Sequence, residues 1–428
     1  LAAEELRGAL TPSLQGSSAA SGEVPPPRSL YIHIPLCASK CSYCDFYSLP
    51  CPSLPEGIEE KLVLSTLSRA SSLAKRFGAS GFDTVYVGGG TPTMLSPQAL
   101  KSLLSGILKL AIEGGGRPPS EWTVEANPDS LDSEALEAMA LSGVTRISLG
   151  VQSLDPGELK ILGRRHGPEE ALAAVSLAAS RGFAVSADLI AGIPRERGSR
   201  ERGTRGRGSL ARYAKELLDA GAAHLSAYDL CIEEGTPLFR SKASLDFPGE
   251  DEAWEERKAL EAFLSTRGMR RYEVSNYAAR GEECRHNLAY WRMDSYIGAG
   301  AGAVSTLALP GGASVRIEEP KDALGYASSS GPRAVETPIG LRDSAFETIM
   351  MAFRTSFGLD LAAFERRYGL DAAKLIGESL EAWKSRIVPG EAWPGTEASA
   401  GPALDGSGLD LLNRFLLDCL EEIEGRLY

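Results

Sequence analysis

The stretch Leu30-Tyr31-Ile32-His33-Ile34-Pro35-Leu36-Cys37-Ala38-Ser39-Lys40-Cys41-Ser42-Tyr43-Cys44 sets an apolar run directly against three cysteines. The run from Leu30 to Ile34 is strand-like, and Pro35 ends its ladder because proline donates no N–H. The thiols follow at spacing C-x3-C-x2-C, on the loop leaving that strand. Thiolates are the usual protein ligands of iron–sulfur clusters. A cubane held by three of them keeps one iron without a protein ligand. Two other readings of the same thiols remain. Cys37, Cys41, Cys44 and Cys51 would make a closed tetrahedral zinc site; alternatively the three are unrelated buried thiols, although free cysteines seldom cluster on a loop without a ligand role.

Outward from this stretch, strand, loop and helix patterns repeat. Strand-like runs are Leu30–Ile34, Thr84–Val87, Trp122–Ala126, Arg146–Val151, Ala184–Ile190 and His224–Leu230. Helix-period stretches lie near 57–76, 97–112, 133–142, 169–181, 210–220 and 251–267. Six successive βα units predict an α/β fold whose parallel sheet has right-handed crossovers. Eight would close a barrel; six predict an open, partial (β/α)6 barrel. Chemistry in such folds gathers at the C-terminal ends of the strands. The cysteine loop, Gly88-Gly89-Gly90-Thr91-Pro92, Glu125, Gln152 and Asp188 all fall at that rim.

The bulk properties set limits. A chain of 428 residues is too long for one ordinary core. Apolar residues at 43% and charged residues at 24% fit a globular protein, and no apolar run approaches the roughly 20 residues of a membrane span. The net charge of −12 argues against binding a nucleic-acid backbone. Seven cysteines, an odd number, do not suit a disulfide framework. No secretory signal pattern is visible behind Leu1, and the expected compartment is the cytoplasm. Residues 1–28 read as a flexible leader, 29–270 as the barrel, 271–337 as a connecting segment and 338–428 as a small, mainly helical C-terminal domain. Within the last, Asp343–Phe353, Leu361–Tyr368 and Leu409–Ile423 are helix-like, and 388–408 is loop-like. Nothing basic clusters on those helices to read DNA. Residues 195–209, RERGSRERGTRGRGS, read as a solvated inserted loop; the run lacks the aromatics an RNA site would use.

Several segments carry a family resemblance. They are YIHIPLCASKCSYCDF (31–46), GGGTP (88–92) behind Thr84-Val85-Tyr86-Val87, LGVQSLD (149–155), LGRRH (162–166), ADLIAGIP (187–194), YDLCIEEGTPL (228–238), RHNLAYW (285–291) and FETIMMAFRTSFGLD (346–360). In this order the chain resembles the radical S-adenosylmethionine (SAM) superfamily, in its coproporphyrinogen dehydrogenase-like branch. The resemblance implies a [4Fe–4S] cluster on Cys37, Cys41 and Cys44, SAM chelating the free iron, and an electron donor for the cluster. It places Tyr31, Gly89 and Glu125 around cluster-bound SAM. It matches Tyr43, Gly90, Thr91, Gln152, Arg164 and Asp188 to positions that contact a second SAM in the porphyrinogen-oxidising relative; Arg164 and Asp188 read equally well as structural ion-pair partners.

Coproporphyrinogen dehydrogenases carry a fourth cysteine two positions after the third cluster cysteine. Here that residue is Phe46, and Cys44-Asp45-Phe46 with the His-Asn-x-x-Tyr-Trp motif resembles the HemW-type heme chaperones. These bind heme and hand it to respiratory hemoproteins. The resemblance therefore implies heme as a ligand, a recipient hemoprotein that is membrane-associated in the family, and a place at the inner membrane face; it leaves a homodimer open. His286 is the candidate iron ligand, with Cys284 as a second, while Tyr290 and Trp291 offer flat faces to the macrocycle. The competing reading makes His286 a loop cap and the aromatics interface packing. His33 and His166 read as structural. Oxygen-independent coproporphyrinogen III dehydrogenase and a radical SAM methyltransferase are the alternative functions.

Overall fold

The computed structural model describes residues 24–51, 54–197, 209–328, 333–394 and 400–427. Most of the leader (1–23) and most of the Arg/Gly-rich loop (198–208) therefore lie outside the described residues.

The six expected strands are β1 (Ser29–Ile34), β2 (Thr84–Gly89), β3 (Glu121–Ala126), β4 (Arg146–Gln152), β5 (Ala184–Ala191) and β6 (His224–Asp229). Helices α1 (Ile58–Arg76), α2 (Pro97–Ile112), α3 (Ser133–Ser142), α4 (Pro156–Leu162), α5 (Pro168–Ser180) and α6 (Ser209–Asp219) connect them, and α7 (Glu250–Thr266) follows β6. Helix starts are capped where the sequence supplies a short polar side chain. Asp132 accepts from Ala135 N and Asp155 from Gly157 N and Glu158 N, each satisfying donors the first turn leaves free.

All six strands run parallel, side by side in the order β6-β5-β4-β3-β2-β1. β1 does not meet β6. Its second edge instead takes β9 (Tyr296–Ala299), also parallel, so the barrel stays open. The segment expected to be a mere connection is thus built into the sheet. β7 (Arg270–Arg271) and β8 (Asn276–Ala278) extend it beyond β6, while β10 (Val304–Ala308), β11 (Ser314–Glu318) and β12 (Val335–Ile339) extend it antiparallel beyond β9. Twelve strands result. Helix α8 (Arg285–Trp291) is the one long excursion between β8 and β9.

Strand alternation divides the sheet into two faces. One face presents Leu30, Ile32, Val85, Val87, Trp122, Val124, Ile147, Leu149, Val185 and Leu189, all fully buried against the outer helices. Each such side chain contributes roughly 1.5–3 kcal/mol of burial free energy. The opposite face is polar and lines the lumen: Tyr31 and His33, Thr84 and Tyr86, Thr123 and Glu125, Arg146 and Ser148, Ser186 and Asp188, His224 and Ser226. A barrel with a polar lining is a chamber for a polar guest rather than a packed core.

A second apolar core forms around α9 (Leu341–Ala352), α10 (Leu361–Tyr368) and α11 (Leu412–Leu427), with Ile349, Phe353, Phe364, Phe415, Cys419 and Ile423 at its centre. The 388–408 region, read as loop, contributes a short antiparallel pair, Ile387–Pro389 with Pro402–Leu404.

Candidate functional site

Cys37, Cys41 and Cys44 lie half-buried on the loop after β1, at the C-terminal rim of the sheet. The loop is stitched to its neighbours by backbone bonds. Ser42 N donates to Leu162 O at 3.0 Å, Leu238 N to Ser42 O at 2.8 Å, and Thr91 N to Leu36 O at 2.6 Å. Burial raises the Cys37 and Cys44 thiols above the ordinary range; hydrogen bonds with Thr91 and Ser48 for Cys37 and with the Phe46 backbone for Cys44, and Lys40 nearby, offset part of that rise. Cys37 also meets Thr91 Oγ1 at 3.7 Å, and Arg164 Nη1 donates to Cys41 Sγ at 3.4 Å. Positive charge from Lys40 and Arg164 beside the triad favours the thiolate form a cluster binds. Among the described residues no three Cys, His, Asp or Glu side chains converge on a point that one metal ion could share, so the four-cysteine zinc reading has no preformed site. A cubane asks less of its ligands, since each thiolate binds a different iron.

Behind the thiols, the GGGTP loop closes β2. Gly90 N donates to Ile34 O at 2.9 Å, locking the loop to the strand that feeds the cysteines. Gly89 has φ 104°, a conformation glycine adopts freely, and a Cβ there would strike the His33 ring at 2.5 Å. Gly88 leaves room for Glu125: a Cβ would stand 2.6 Å from its carboxyl. Glu125 accepts from Tyr86 Oη at 2.8 Å and from Gly89 N at 2.9 Å. Desolvation lifts its carboxyl to about 7, with Asp188 adding to the rise. Asp188, on β5, is lifted to about 6 by the same desolvation, tempered by hydrogen bonds from Ser226 and Ser148. Tyr31 Oη pairs with His33 Nδ1 at 2.9 Å, and His33 Nε2 reaches Tyr47 O at 3.2 Å.

Arg164 ties three elements together. Its Nη2 donates to Asn127 Oδ1 and to Gly150 O, both at 2.6 Å, while Nη1 reaches Cys41. Asn127 Nδ2 in turn donates to Thr91 Oγ1 at 2.8 Å. No ion pair joins Arg164 to Asp188, so the structural-pair reading of those two has no bond behind it. Gln152 closes β4 at φ 70°, where the β4–β5 register slips, a strained backbone of the kind functional rims retain. Tyr43 packs on Leu162, Ile190 and Ile193 beneath Arg164. The rim therefore brings together Cys37, Cys41, Cys44, Tyr43, Gly90, Thr91, Gln152 and Arg164, and the lumen beneath it holds Tyr31, Gly89, Glu125 and Asp188.

The His-Asn-x-x-Tyr-Trp residues lie elsewhere. Helix α8 sits at the N-terminal ends of β2 and β3, across the sheet from the cysteines. Glu121, the first residue of β3, accepts the backbone N–H groups of Arg285 at 2.9 Å and His286 at 2.8 Å, and the Cys284 thiol at 3.5 Å. His286 is fully buried, with Nδ1 on Thr84 Oγ1 at 2.9 Å and Nε2 on Tyr290 Oη at 2.7 Å. Both ring nitrogens are engaged, and neither is free for iron in this conformation. Burial lowers this imidazole to about 3. Tyr290 packs edge-on to His286 and Tyr296, and Trp291 lies against the small cluster around Tyr272 and Leu288.

Among the described residues, the buried Thr123 Oγ1, Arg146 Nη2 and Arg164 Nε in and around the lumen lack a partner. Buried polar groups are rarely left so, and a polar guest in the lumen would satisfy them. The thiol triad, the glycine cradle and this lining fit a cluster with an amino-acid-headed nucleotide. Two residues of the site, Tyr86 in the lumen and Asn127 at the rim, receive no role from any motif. Tyr86 shows itself only through strand parity, and Asn127 only through its place just past β3.

Residues 31–201 match the radical SAM superfamily and residues 340–385 the HemN C-terminal domain. With the cysteine rim over an open (β/α)6 chamber, this defines the chain as a radical SAM protein, a class that implies SAM and a [4Fe–4S] cluster. The heme chaperone HemW of Escherichia coli strain K12 is 35% identical over 337 residues, 77% of this chain and 83% of that protein. The heme chaperone HemW of Bacillus subtilis strain 168 is 30% identical over 346 residues, 80% of this chain and 87% of the other. The chain belongs to the HemW heme chaperone family. Among solved structures, coproporphyrinogen III oxidase (HemN) from Escherichia coli superposes with a TM-score of 0.70 at 19% identity, covering 94% of this chain and 91% of that one. At that identity the likeness speaks for the fold.

Proposed function

We propose that this chain is a heme chaperone that holds a [4Fe–4S] cluster on Cys37, Cys41 and Cys44, binds SAM in the lumen behind it, and delivers heme to a respiratory hemoprotein. The observation that carries the reading is the fit, over 83% of its length, to a protein named as a heme chaperone. Phe46 supports it. Where the dehydrogenase pattern has a thiol, this chain has a side chain that neither ligates nor carries a proton, and it is 66% exposed.

In this reading the chain's residues divide the work. The three thiolates leave one iron open; Gly89 and Gly90 let the backbone approach the amino-acid head of SAM; Glu125 accepts its ammonium. Tyr31 lines the same pocket, and Tyr43, Thr91, Gln152, Arg164 and Asp188 close the rim over the nucleotide. When bound, SAM supplies a sulfonium whose carbon–sulfur bond opens on receipt of one electron from the cluster. His286, Tyr290 and Trp291 belong to the helix that serves heme.

No helix among the described residues is long and apolar enough to cross a membrane. The proposal places the chaperone in the cytoplasm, peripheral to the inner membrane where a membrane-bound recipient waits, with a separate electron donor for the cluster. Anaerobic reconstitution followed by paired assays tests it. Stoichiometric hemin uptake without coproporphyrinogen consumption is expected. Turnover of coproporphyrinogen to protoporphyrinogen with SAM consumed would overturn it in favour of the dehydrogenase.

A further inference from the structure

A cleft of about 650 Å³ opens at the end of the sheet opposite the cysteines, between the first residues of β1 and β2, helix α8 and helix α10. That volume suits a bound small molecule. Its lining mixes charged side chains with an apolar part made by Leu288 and Ala289 of α8, Leu359 and Phe364 beside α10, and Trp393, which stacks on Phe357.

The charges in the cleft do not balance. Arg28 is paired with Asp83 at 2.6 Å and Arg292 with Asp294 at 2.5 Å, while Asp360 caps α10 through Ala363 N and keeps its negative charge. Three arginines remain. The guanidinium groups of Arg285 and Arg366, both exposed, have no hydrogen bond or ion pair among the described residues. Arg367 donates Nη1 to Met293 O at 2.7 Å, but its Nε and Nη2 are buried without partners. A buried guanidinium with unused donors is costly to keep unless something anionic comes to it. Five arginines face three aspartates, so the cleft carries an excess of two positive charges in a chain whose net charge is −12, and Arg285, Arg366 and Arg367 are the arginines no carboxylate pairs.

We infer that this cleft is the heme site, holding the macrocycle between the outer face of α8 and the α10–Trp393 wall, with the two propionates on Arg285, Arg366 and Arg367. The inference rests on the heme-chaperone reading and gives it a place. Arginine matches a carboxylate with two parallel N–H bonds, and a flat ligand with two carboxylates at one edge is what this lining selects. The His-Asn-x-x-Tyr-Trp helix then serves heme through its outward face, Arg285, Leu288, Ala289 and Arg292. His286 and Tyr290 turn inward and fix that helix to β2.

The test is hemin titration of the full chain after anaerobic reconstitution, followed by Soret absorbance and tryptophan quenching. It uses wild type, the double variant Arg285→Ala/Arg366→Ala and Arg367→Ala, each with hemin and with hemin dimethyl ester. Wild type is expected to hold hemin at least tenfold more tightly than either variant, and at least tenfold more tightly than it holds the ester. The ester comparison needs no substitution and so stands even where a variant folds poorly. Hemin and ester bound equally by wild type, or hemin bound equally by wild type and the double variant, would overturn the cleft while leaving the chaperone reading intact. No hemin uptake by wild type would overturn that reading, and the cleft with it.

Discussion

Gly90→Ala tests how the cysteine loop is positioned. Gly90 has no positive φ, so alanine can adopt its backbone, and the lower entropy of the unfolded chain would by itself stabilise by about 0.4–1 kcal/mol. Its Cβ, however, would stand 2.5 Å from Leu36 O, 2.8 Å from Leu36 N and 2.9 Å from Ile34 O. These are backbone atoms of the segment leading into Cys37 and cannot rotate aside. Relief requires the two segments to separate, losing the Gly90 N–Ile34 O bond at 2.9 Å and the Thr91 N–Leu36 O bond at 2.6 Å. Overpacking costs about 1–3 kcal/mol, and each lost bond roughly 0.5–1.5. The net expectation is a loss of about 2–4 kcal/mol, together with a displaced thiol triad. Urea unfolding of the apo chain followed by tryptophan fluorescence gives the first quantity, and iron and sulfide per chain after anaerobic reconstitution give the second. Gly377→Ala is the control, since nothing stands within 4 Å of its Cβ. A Gly90→Ala protein with wild-type stability and full iron would refute the reasoning.

Cys37→Ser, Cys41→Ser and Cys44→Ser should each cut reconstituted iron to a small fraction of wild type, while Cys51→Ser and Cys231→Ser keep it; iron loss on Cys51→Ser would make Cys51 a ligand and overturn the three-thiolate assignment. Glu125, held near 7 against 4.5 for the free group, keeps its proton in the folded chain after the unfolded chain has released it. Stability of the apo chain therefore falls as pH rises from about 4.5 to about 7. Glu125→Gln should gain about 2 kcal/mol on wild type between pH 5 and pH 8, lumen water having screened part of the shift; an unchanged difference at the two pH values counts against it. His286→Ala removes a ring bonded at both nitrogens and should cost about 2–4 kcal/mol in thermal or urea unfolding. The folded fraction should bind hemin within about threefold of wild type, and its failure to do so would put the imidazole back on the iron.

Much of this was legible because parity and chemistry agree along the first six strands. Leu30, Ile32 and Ile34 alternate with Tyr31 and His33, so one face had to be buried, and the residues at the strand ends had to share a rim. What was hidden depends on partners distant in sequence. Tyr296–Ala299 is short and runs into Gly300-Ala301-Gly302, which reads as loop. Its glycines are there for close approach: a Cβ on Gly298 would meet Val304 O, and one on Gly300, at φ 111°, would meet His33 O at 2.2 Å. The local pattern of a strand gives way to the need to lie against β1 and β10. Likewise the motif around His286 leaves an iron ligand and a loop cap both open, because nothing local reveals Thr84, 202 residues earlier, as its partner. The cleft was out of reach altogether, since its walls come from residues between 24 and 394.

If SAM and heme occupy the two proposed sites, their places at opposite ends of one sheet have a mechanistic consequence. β1 and β2 are each six residues long, and at about 3.3 Å per residue they hold the two ends roughly 20 Å apart. Atom transfer needs reacting atoms about 3–3.5 Å apart, so a tetrapyrrole lodged beside Arg285 and Arg367 is beyond direct attack from SAM at the cysteine rim. The two halves of the chain would then communicate through Glu121, the Thr84–His286–Tyr290 bonds and the strands themselves. Hemin affinity should accordingly stay within about threefold in Cys41→Ser, which lacks the cluster, and with or without SAM in wild type. A tenfold loss on removing the cluster would place the tetrapyrrole at the cysteine rim instead.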